Sequence, residues 1–180
     1  MKTVIINNID EMRQYYNSDT NTYDFQENGQ QLSISILMDE FVTKASIKAK
    51  NITAKNINCN SIMAYNIKAN DLFVNDTIKC NYIMADNLTS LNIEANKIEV
   101  NNMIECYRIE AKEINSDILS AHVTKADYIN ANLFYAGIVE GGIVEINKLK
   151  AVSYYERIDI NVKQFIIRES LENCKDEYGF

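Results

Sequence analysis

A large apolar residue recurs at every fifth position through most of residues 47–111, and a small residue follows it two places later. The first units are Ile47-Lys-Ala49, Ile52-Thr-Ala54, Ile57-Asn-Cys59 and Ile62-Met-Ala64. Five residues of an α-helix advance about 140° beyond a full turn, so this spacing forms no apolar stripe along a helix. It does not fit a coiled coil either, whose repeat averages 3.5 residues. The large and small residues of one unit instead alternate as in a β-strand, with both side chains on one side.

The two residues after each small residue then have to turn a corner, so that the next large side chain points inward again. Repetition of strand and corner predicts a β-solenoid with an apolar lumen. Asn or Asp precedes the large residue in many units, and both tolerate tight turns. Stacked Asn side chains are expected to form ladders along the axis. Residues 72–80 and 98–106 each contain one extra residue, which predicts a bulge at a fixed place in the winding.

These five-residue units resemble the pentapeptide-repeat family of right-handed quadrilateral β-helices, and similar Ile-x-Ala-x-Asn repeats of low-GC bacteria and their phages. The resemblance covers residues 45–136. It departs in one respect, because the family places its small residue two positions before the large one rather than two after. The resemblance implies an all-β, single-stranded β-solenoid that is right-handed and four-sided, with about 20 residues per turn. Units four apart would then share a face.

The flanking segments differ in composition from the repeats and predict three parts. Residues 1–44 form an N-terminal α/β cap, with a strand at 3–6, a short helix at 9–16 begun by Asn7 or Asn8, and strands at 22–25 and 32–38. The Asn28-Gly29 pair between those two strands is typical of a hairpin turn. The solenoid occupies residues 45–152. Residues 153–180 hold an amphipathic helix at 162–178.

The C-terminal segment has two alternative roles: a second cap or a homodimer contact, the latter being common in the family that the repeats resemble. The five-residue spacing continues beyond residue 111 less regularly, at Ile114, Leu119, Ile129 and Phe134. Ile138 and Ile143 keep the spacing, with Gly141-Gly142 as a permissive turn.

Charge argues against direct nucleic-acid binding, because 18 basic and 25 acidic residues give a formal net charge of −7. Basic and acidic residues are concentrated in different segments of the chain. Residues 41–80 carry six basic and two acidic groups, a difference of +4, whereas residues 81–120 carry three and seven, a difference of −4. The chain has neither an apolar run long enough for a membrane span nor a signal-peptide pattern, so we expect a soluble, cytoplasmic protein without membrane contact.

Catalytic and metal-binding motifs are weak. His122 is the single histidine, and no nucleophile or carboxylate stands at motif spacing from it. Cys59, Cys80 and Cys106 occupy the small-residue position, so we interpret them as lumen side chains rather than as metal ligands. We therefore expect no catalytic residues, no metal and no cofactor.

The outward residue between the large and small positions suggests where a partner binds. On a four-sided coil, Met63 and Met84 would stack on one face and Phe73 would lie on another, with Tyr65 and Tyr107 nearby as exposed contact residues. The same position holds four acidic side chains in successive units, which would form a girdle around the rod. They are Glu94, Glu99, Glu105 and Glu110.

The resemblance implies a non-enzymatic inhibitor of phage or mobile-element type. Pentapeptide-repeat proteins include acidic rods that mimic DNA, so the expected partner is a host DNA-handling or defence enzyme, such as a topoisomerase or a CRISPR effector nuclease. Such an anti-CRISPR or topoisomerase inhibitor would act through its solenoid surface. The alternative is a self-associating scaffold or filament of bactofilin type. Dissimilar segments at both ends disfavour that alternative, because caps prevent end-to-end stacking.

Overall fold

The structure, a computed structural model, describes residues 2–151 and 159–167. It contains one 3₁₀ helix, Ile9–Tyr15, and sixteen strands within these ranges. The strands are β1 Thr3–Ile6, β2 Tyr16–Asn17, β3 Thr22–Asp24, β4 Gln26–Glu27, β5 Gln30–Gln31, β6 Ser33–Ile36, β7 Glu40–Val42, β8 Ser46–Lys48, β9 Asn51–Thr53, β10 Asn56–Cys59, β11 Ile62–Met63, β12 Asn66–Lys68, β13 Asp71–Lys79, β14 Tyr82–Glu94, β15 Lys97–Ala151 and β16 Asp159–Ile167. Strands β13, β14 and β15 are longer than those before them because their extended backbone continues around corners.

The chain winds into a three-sided β-solenoid. Ile47 is the register partner of Ile62, and Ile62 is in turn the partner of Ile78. Ile47 and Ile62 begin units that are three apart, so three five-residue units complete one turn. The β-solenoid is confirmed, but the expectation of four sides is wrong, because the angle at each corner sets the side number and the five-residue spacing does not. About seven turns, each advancing roughly 4.8 Å, make a rod of roughly 34 Å.

Each side of the rod is a parallel sheet with one column of large inward residues. Face 1 carries Ile47, Ile62, Ile78, Ile93 and Ile109. Face 2 carries Ile52, Ile67, Ile83 and Ile98. Face 3 carries Ile57, Leu72, Leu88 and Ile104.

The lumen is filled as the five-residue spacing predicts. Ile52, Ile57 and Ile62 are at most 2% exposed. The small residues two places later, such as Ala49 and Cys59, are buried as well. Burial of each isoleucine contributes about 2 kcal/mol before chain entropy is subtracted. The stacked columns therefore form one continuous apolar core.

Beyond residue 111, the inward positions keep the five-residue spacing more regularly than the apolar residues of the sequence do. Thr124 occupies a large-residue position and is fully buried, although its hydroxyl has no hydrogen-bond partner within the described residues. Because threonine is polar, this unit does not look like a repeat in the sequence. The interpretation of Ile138 and Ile143 as the next inward residues is wrong: they are 37 and 38% exposed, whereas Val139 is fully buried. Val139 stands three units after Thr124, so the five-residue spacing is kept.

The N-terminal segment begins as predicted, with β1 followed by the 3₁₀ helix. The Asn8 side chain caps that helix by accepting hydrogen bonds from the backbone N–H groups of Asp10 and Glu11, at 3.0 and 3.2 Å. Asn28 and Gly29 have φ angles of 50° and 76° and form the predicted turn between β4 and β5.

The two longer strands on either side of that turn do not pair with each other. Strand β3 pairs with β8 on face 1, and β6 pairs with β1 and β9 on face 2. Strand β7 pairs with β10 on face 3. These three strands, all within residues 1–44, already belong to the winding.

Polar ladders along the corners confirm the expected stacking of Asn side chains. The Asn66 amide donates to the Asn51 side-chain oxygen at 2.9 Å, and the Asn51 amide donates to the Ser33 hydroxyl oxygen at 2.8 Å. The Asn96 amide donates to the Asn81 side chain at 2.6 Å on the corner between faces 1 and 2. These bonds satisfy polar groups that would otherwise compete for backbone partners.

The two extra residues produce irregularities in the pairing, as predicted, but not at one place. The register of β13 and β14 shifts between Val74 and Thr77, at the corner from face 3 to face 1. The register of β14 and β15 shifts between Ala85 and Asn87, at the corner from face 2 to face 3. Because each turn has three units, the separation between the two irregular segments is not a whole number of turns, and they fall at different corners.

The prediction of a helix at 162–178 is wrong for residues 162–167, the part of this segment that the structure describes. Residues 159–167 form β16, which pairs in parallel with β15 from Ile138 to Ile146. Apolar and polar residues alternate at the start of this segment, and β15 offers an edge for backbone pairing. Residues 153–158 and 168–180 lie outside the described residues, so the dimer contact and the rest of the helix stay predictions.

The three cysteines of the repeats predict a loss of stability at alkaline pH. Burial raises the thiol pKa of Cys59, Cys80 and Cys106 to about 12. As pH rises, the unfolded chain therefore loses its thiol protons before the folded chain does. The contribution of the protonated thiols to the free energy of unfolding is complete below a pH of about 8.5. Above that pH it falls by roughly 1.4 kcal/mol per thiol for each pH unit. Urea unfolding at pH 7 to 10.5 should show this decrease.

The matched control for this prediction is Cys59→Val, because Val74 occupies the same column one turn later. This variant should lose about a third of the thiol-dependent decrease. An identical pH profile for the wild type and the variant would contradict burial of the Cys59 thiol.

Candidate protein-binding surface

An open groove runs along the corner between face 3 and face 1. We define the corner groove by Phe73, Leu91, Glu105, Tyr107 and His122, which line it together with Asn75, Thr89 and Ser120. Its volume is about 620 Å³. Residues from four successive turns contribute, so the groove is parallel to the solenoid axis.

Large apolar side chains are exposed along this groove. Phe73, Leu91 and Tyr107 are 46, 48 and 52% exposed. The rings of Tyr107 and His122 lie one above the other, with centroids 4.8 Å apart and planes inclined by 35°. Leu91 and Tyr107 follow each other in one column, and Phe73 lies in the neighbouring column. Exposed apolar groups gathered along one groove are unfavourable in water, and their presence is typical of a binding surface.

Small inward residues form the floor of the groove. Val74, Ser90, Cys106 and Ala121 alternate with the outward side chains on the same strands. The Ser90 hydroxyl, which has one proton to donate, lies 3.1 Å from the backbone carbonyl oxygens of both Asp76 and Asn92. The Cys106 thiol has a pKa of about 12, raised first by burial and then by the charge of Glu105, so it is protonated and unreactive at neutral pH. The floor is therefore a packed wall in which the one thiol is protonated and the one hydroxyl is hydrogen-bonded to the backbone.

The two methionines of the predicted contact surface lie on different faces, so the expectation that they stack is wrong. Met63 is on face 1 between Lys48 and Lys79. Met84 is on face 2 between Lys68 and Glu99. With three units per turn, residues four units apart lie on adjacent faces.

Tyr65 lies next to Met63, on the corner between faces 1 and 2. Both line a separate hollow of about 320 Å³. Phe73 and Tyr107, by contrast, are brought together in the corner groove. The predicted aromatic contacts therefore divide between two corners of the rod.

The four glutamates are distributed over all three faces. Glu94 and Glu110 are register partners on face 1. Glu94 forms an ion pair with Lys79 at 3.0 Å. Glu110 forms ion pairs with Arg108 at 3.3 Å and with Lys125 at 3.6 Å. Both carboxylates on face 1 are thus neutralised by neighbouring cations.

Glu99 belongs to a polar cluster on face 2. Lys97 lies 2.8 Å from Glu99 and 3.3 Å from Glu113, and these hydrogen bonds raise the pKa of the Lys97 amine. The Glu99 carboxylate also accepts a hydrogen bond from the Tyr82 hydroxyl. The pKa of Glu99 is lowered, first by Lys97 and then by Tyr82, whereas that of Tyr82 is raised to about 12, first by desolvation and then by the bond to Glu99.

Glu105 differs from the other three. It lies on face 3 next to Thr89, its register partner one turn earlier. Within the part of the chain that the structure describes, it forms no ion pair. The girdle of four carboxylates thus has one charge without a cation, and that charge lies at the corner groove.

Two of the five side chains that define the corner groove are not among the predicted contact residues: Leu91 and His122. They share a column with Tyr107, because Leu91 lies one turn before it and His122 lies one turn after it. Their separation in the sequence indicates that they share a column, but only once the number of units per turn is known.

The described residues show no group of three His, Cys, Asp or Glu side chains that suits a metal ion. In residues 2–151 and 159–167, no helix has the length and apolar character that a membrane crossing requires. Comparison with known proteins gives no family: the chain matches no family model, no curated protein and no solved structure.

Proposed function

We propose that this protein is a non-enzymatic binding protein that blocks a partner protein by attaching to it through the corner groove. The observation that carries the proposal is the exposure of Phe73, Leu91 and Tyr107 along one groove of the solenoid wall. The lumen behind the wall is packed with apolar side chains, so it offers no polar cavity to a substrate. A surface on which exposed apolar side chains lie among polar ones suits recognition of another protein.

The partner class that we propose is a bacterial DNA-handling or defence enzyme, such as a topoisomerase or an effector nuclease. This part of the proposal is supported by the formal net charge of −7 and by the resemblance of the repeats to pentapeptide-repeat proteins. Mimicry of DNA by the glutamate girdle is less well supported, because three of its four members are paired with cations. Attachment through apolar contacts fits the surface better.

The test is an inhibition assay with purified nucleases and topoisomerases, using the wild type and a Leu91→Ser/Tyr107→Ser variant. Both side chains point outward, so the variant is expected to fold with an unchanged far-ultraviolet spectrum. We expect the concentration needed for half-inhibition of the sensitive enzyme to rise about 100-fold, since two central apolar contacts are lost.

The matched control is Met63→Ser/Tyr65→Ser, which removes two exposed apolar side chains from the other corner. This control should inhibit like the wild type. Inhibition that is lost in the control and kept in the groove variant would refute the corner groove as the binding surface. Light scattering of the purified protein tests the scaffold alternative, because a polymer would support it and a defined small assembly would exclude it.

A further inference from the structure

We propose that the corner groove binds an extended segment of its partner in which an apolar residue and an arginine or lysine lie two positions apart. This inference deepens the proposed function and rests on it, because it specifies the chemistry of the partner at the same groove. It depends on the width of the groove, on the position of the one girdle glutamate without an ion pair and on the spacing of the apolar side chains along the axis.

The width of the groove favours an extended segment over a helix. The two rows of outward side chains that border it, represented by Glu105 and Tyr107, are two residues apart on one strand. That separation is about 6.8 Å, whereas a helix with its side chains is about 10 Å wide. An extended segment, whose backbone approaches a neighbouring strand to about 4.8 Å, therefore fits along the two rows more closely than a helix, and its alternate side chains would point to the floor.

Charge specifies one side chain of that segment. Glu105 and Tyr107 both point outward from the same turn, with the inward Cys106 between them. A cation in the groove would therefore contact the Glu105 carboxylate and lie beside the Tyr107 side chain, one face of whose ring is covered by His122. The carboxylates of Glu94 and Glu99 do not offer this, because each already has a lysine within 3.0 Å.

The spacing along the axis specifies the apolar side chain. Phe73 lies two turns before Glu105, and Leu91 lies one turn before Tyr107, at about 4.8 Å per turn. Side chains on one side of an extended segment repeat at intervals of about 6.8 Å. An apolar residue that packs between Phe73 and Leu91 thus places the side chain two positions away from it near Glu105.

The test uses two fluorescent octapeptides that differ at one position, Gly-Ser-Phe-Thr-Arg-Thr-Leu-Ser and the same sequence with Glu in place of Arg. Fluorescence polarisation with the full chain, up to millimolar protein, gives both dissociation constants. We expect the Arg peptide to bind about tenfold more tightly, and the preference to fall when salt is raised. Glu105→Gln should remove most of this preference, and Glu105→Arg should reverse it.

Glu94→Gln is the matched control, because it removes a carboxylate that is already paired with Lys79; the preference for Arg should remain. Equal binding of the two peptides, a preference that survives Glu105→Gln, or no binding of either peptide would overturn the inference. The proposed function fails on a different result, namely full enzyme inhibition by Leu91→Ser/Tyr107→Ser. The two failures are therefore distinguishable.

Discussion

Replacement of Ile83 by alanine is expected to lower the free energy of unfolding by about 3–4 kcal/mol. Ile83 is fully buried, and its neighbours in the face 2 column are Ile67 one turn before and Ile98 one turn after. The substitution removes apolar contact area and leaves a cavity, since stacked turns on both sides hold the walls in place. Urea unfolding followed by far-ultraviolet circular dichroism measures the loss.

Met84→Ala is the control for this substitution, because Met84 is adjacent in sequence and points out from the same strand. Its cost should stay below about 1 kcal/mol. Equal costs at the two positions would contradict the inward orientation of Ile83. Solenoids lose cooperativity more easily than compact domains, so tyrosine fluorescence and circular dichroism should both be recorded to test for a single transition.

The solenoid was predictable because its evidence is local. Alternation within Ile47-Lys-Ala49 and return of the apolar residue at Ile52 depend only on strand geometry and on the need to bury large side chains. The number of sides was not predictable in this way. Turns of three units and turns of four units place the same residues inside, and they differ only in the backbone angles at corners such as that of Asn96.

The same distinction explains the N-terminal segment. The turn at Asn28-Gly29 follows from local chemistry, since both residues adopt positive φ angles. The partners of the flanking strands are chosen by long-range packing. Ile34, for example, pairs with Ile52 and extends the face 2 column, which buries more apolar surface than a long isolated hairpin would.

The candidate surface was predictable in part. Exposure of Phe73 and Tyr107 follows from their place in the repeat, but their proximity depends on the number of units per turn. The assumption of four units per turn placed Met84 on the same face as Met63, whereas with three units per turn Met84 lies on face 2. The ion pairs of the glutamates could not be predicted for the same reason. Glu94 lies next to Lys79 only when each turn has three units.

Replacement of Gly142 by alanine is expected to destabilise the last turns of the solenoid by about 3 kcal/mol. A Cβ atom built on Gly142 would lie 2.3 Å from the carbonyl oxygen of Asp127, which is backbone on the preceding turn. Real Cβ atoms do not approach an oxygen so closely, and a backbone group cannot rotate away as a side chain can. The turn that carries Gly142 would have to move outward, away from Asp127.

Amide hydrogen exchange is the measurement that locates this effect. In the Gly142→Ala variant, protection should decrease near Asp127 and Gly142 and stay unchanged near Ile52, since each turn of a solenoid contacts mainly its neighbours. Gly29→Ala is the matched control. Gly29 has a φ angle of 76° but nothing within 4 Å of an added Cβ, so its cost arises from the backbone angle alone, about 1 kcal/mol. A Gly142→Ala variant as stable as the Gly29→Ala variant would show that the chain at residue 142 does not pack against Asp127.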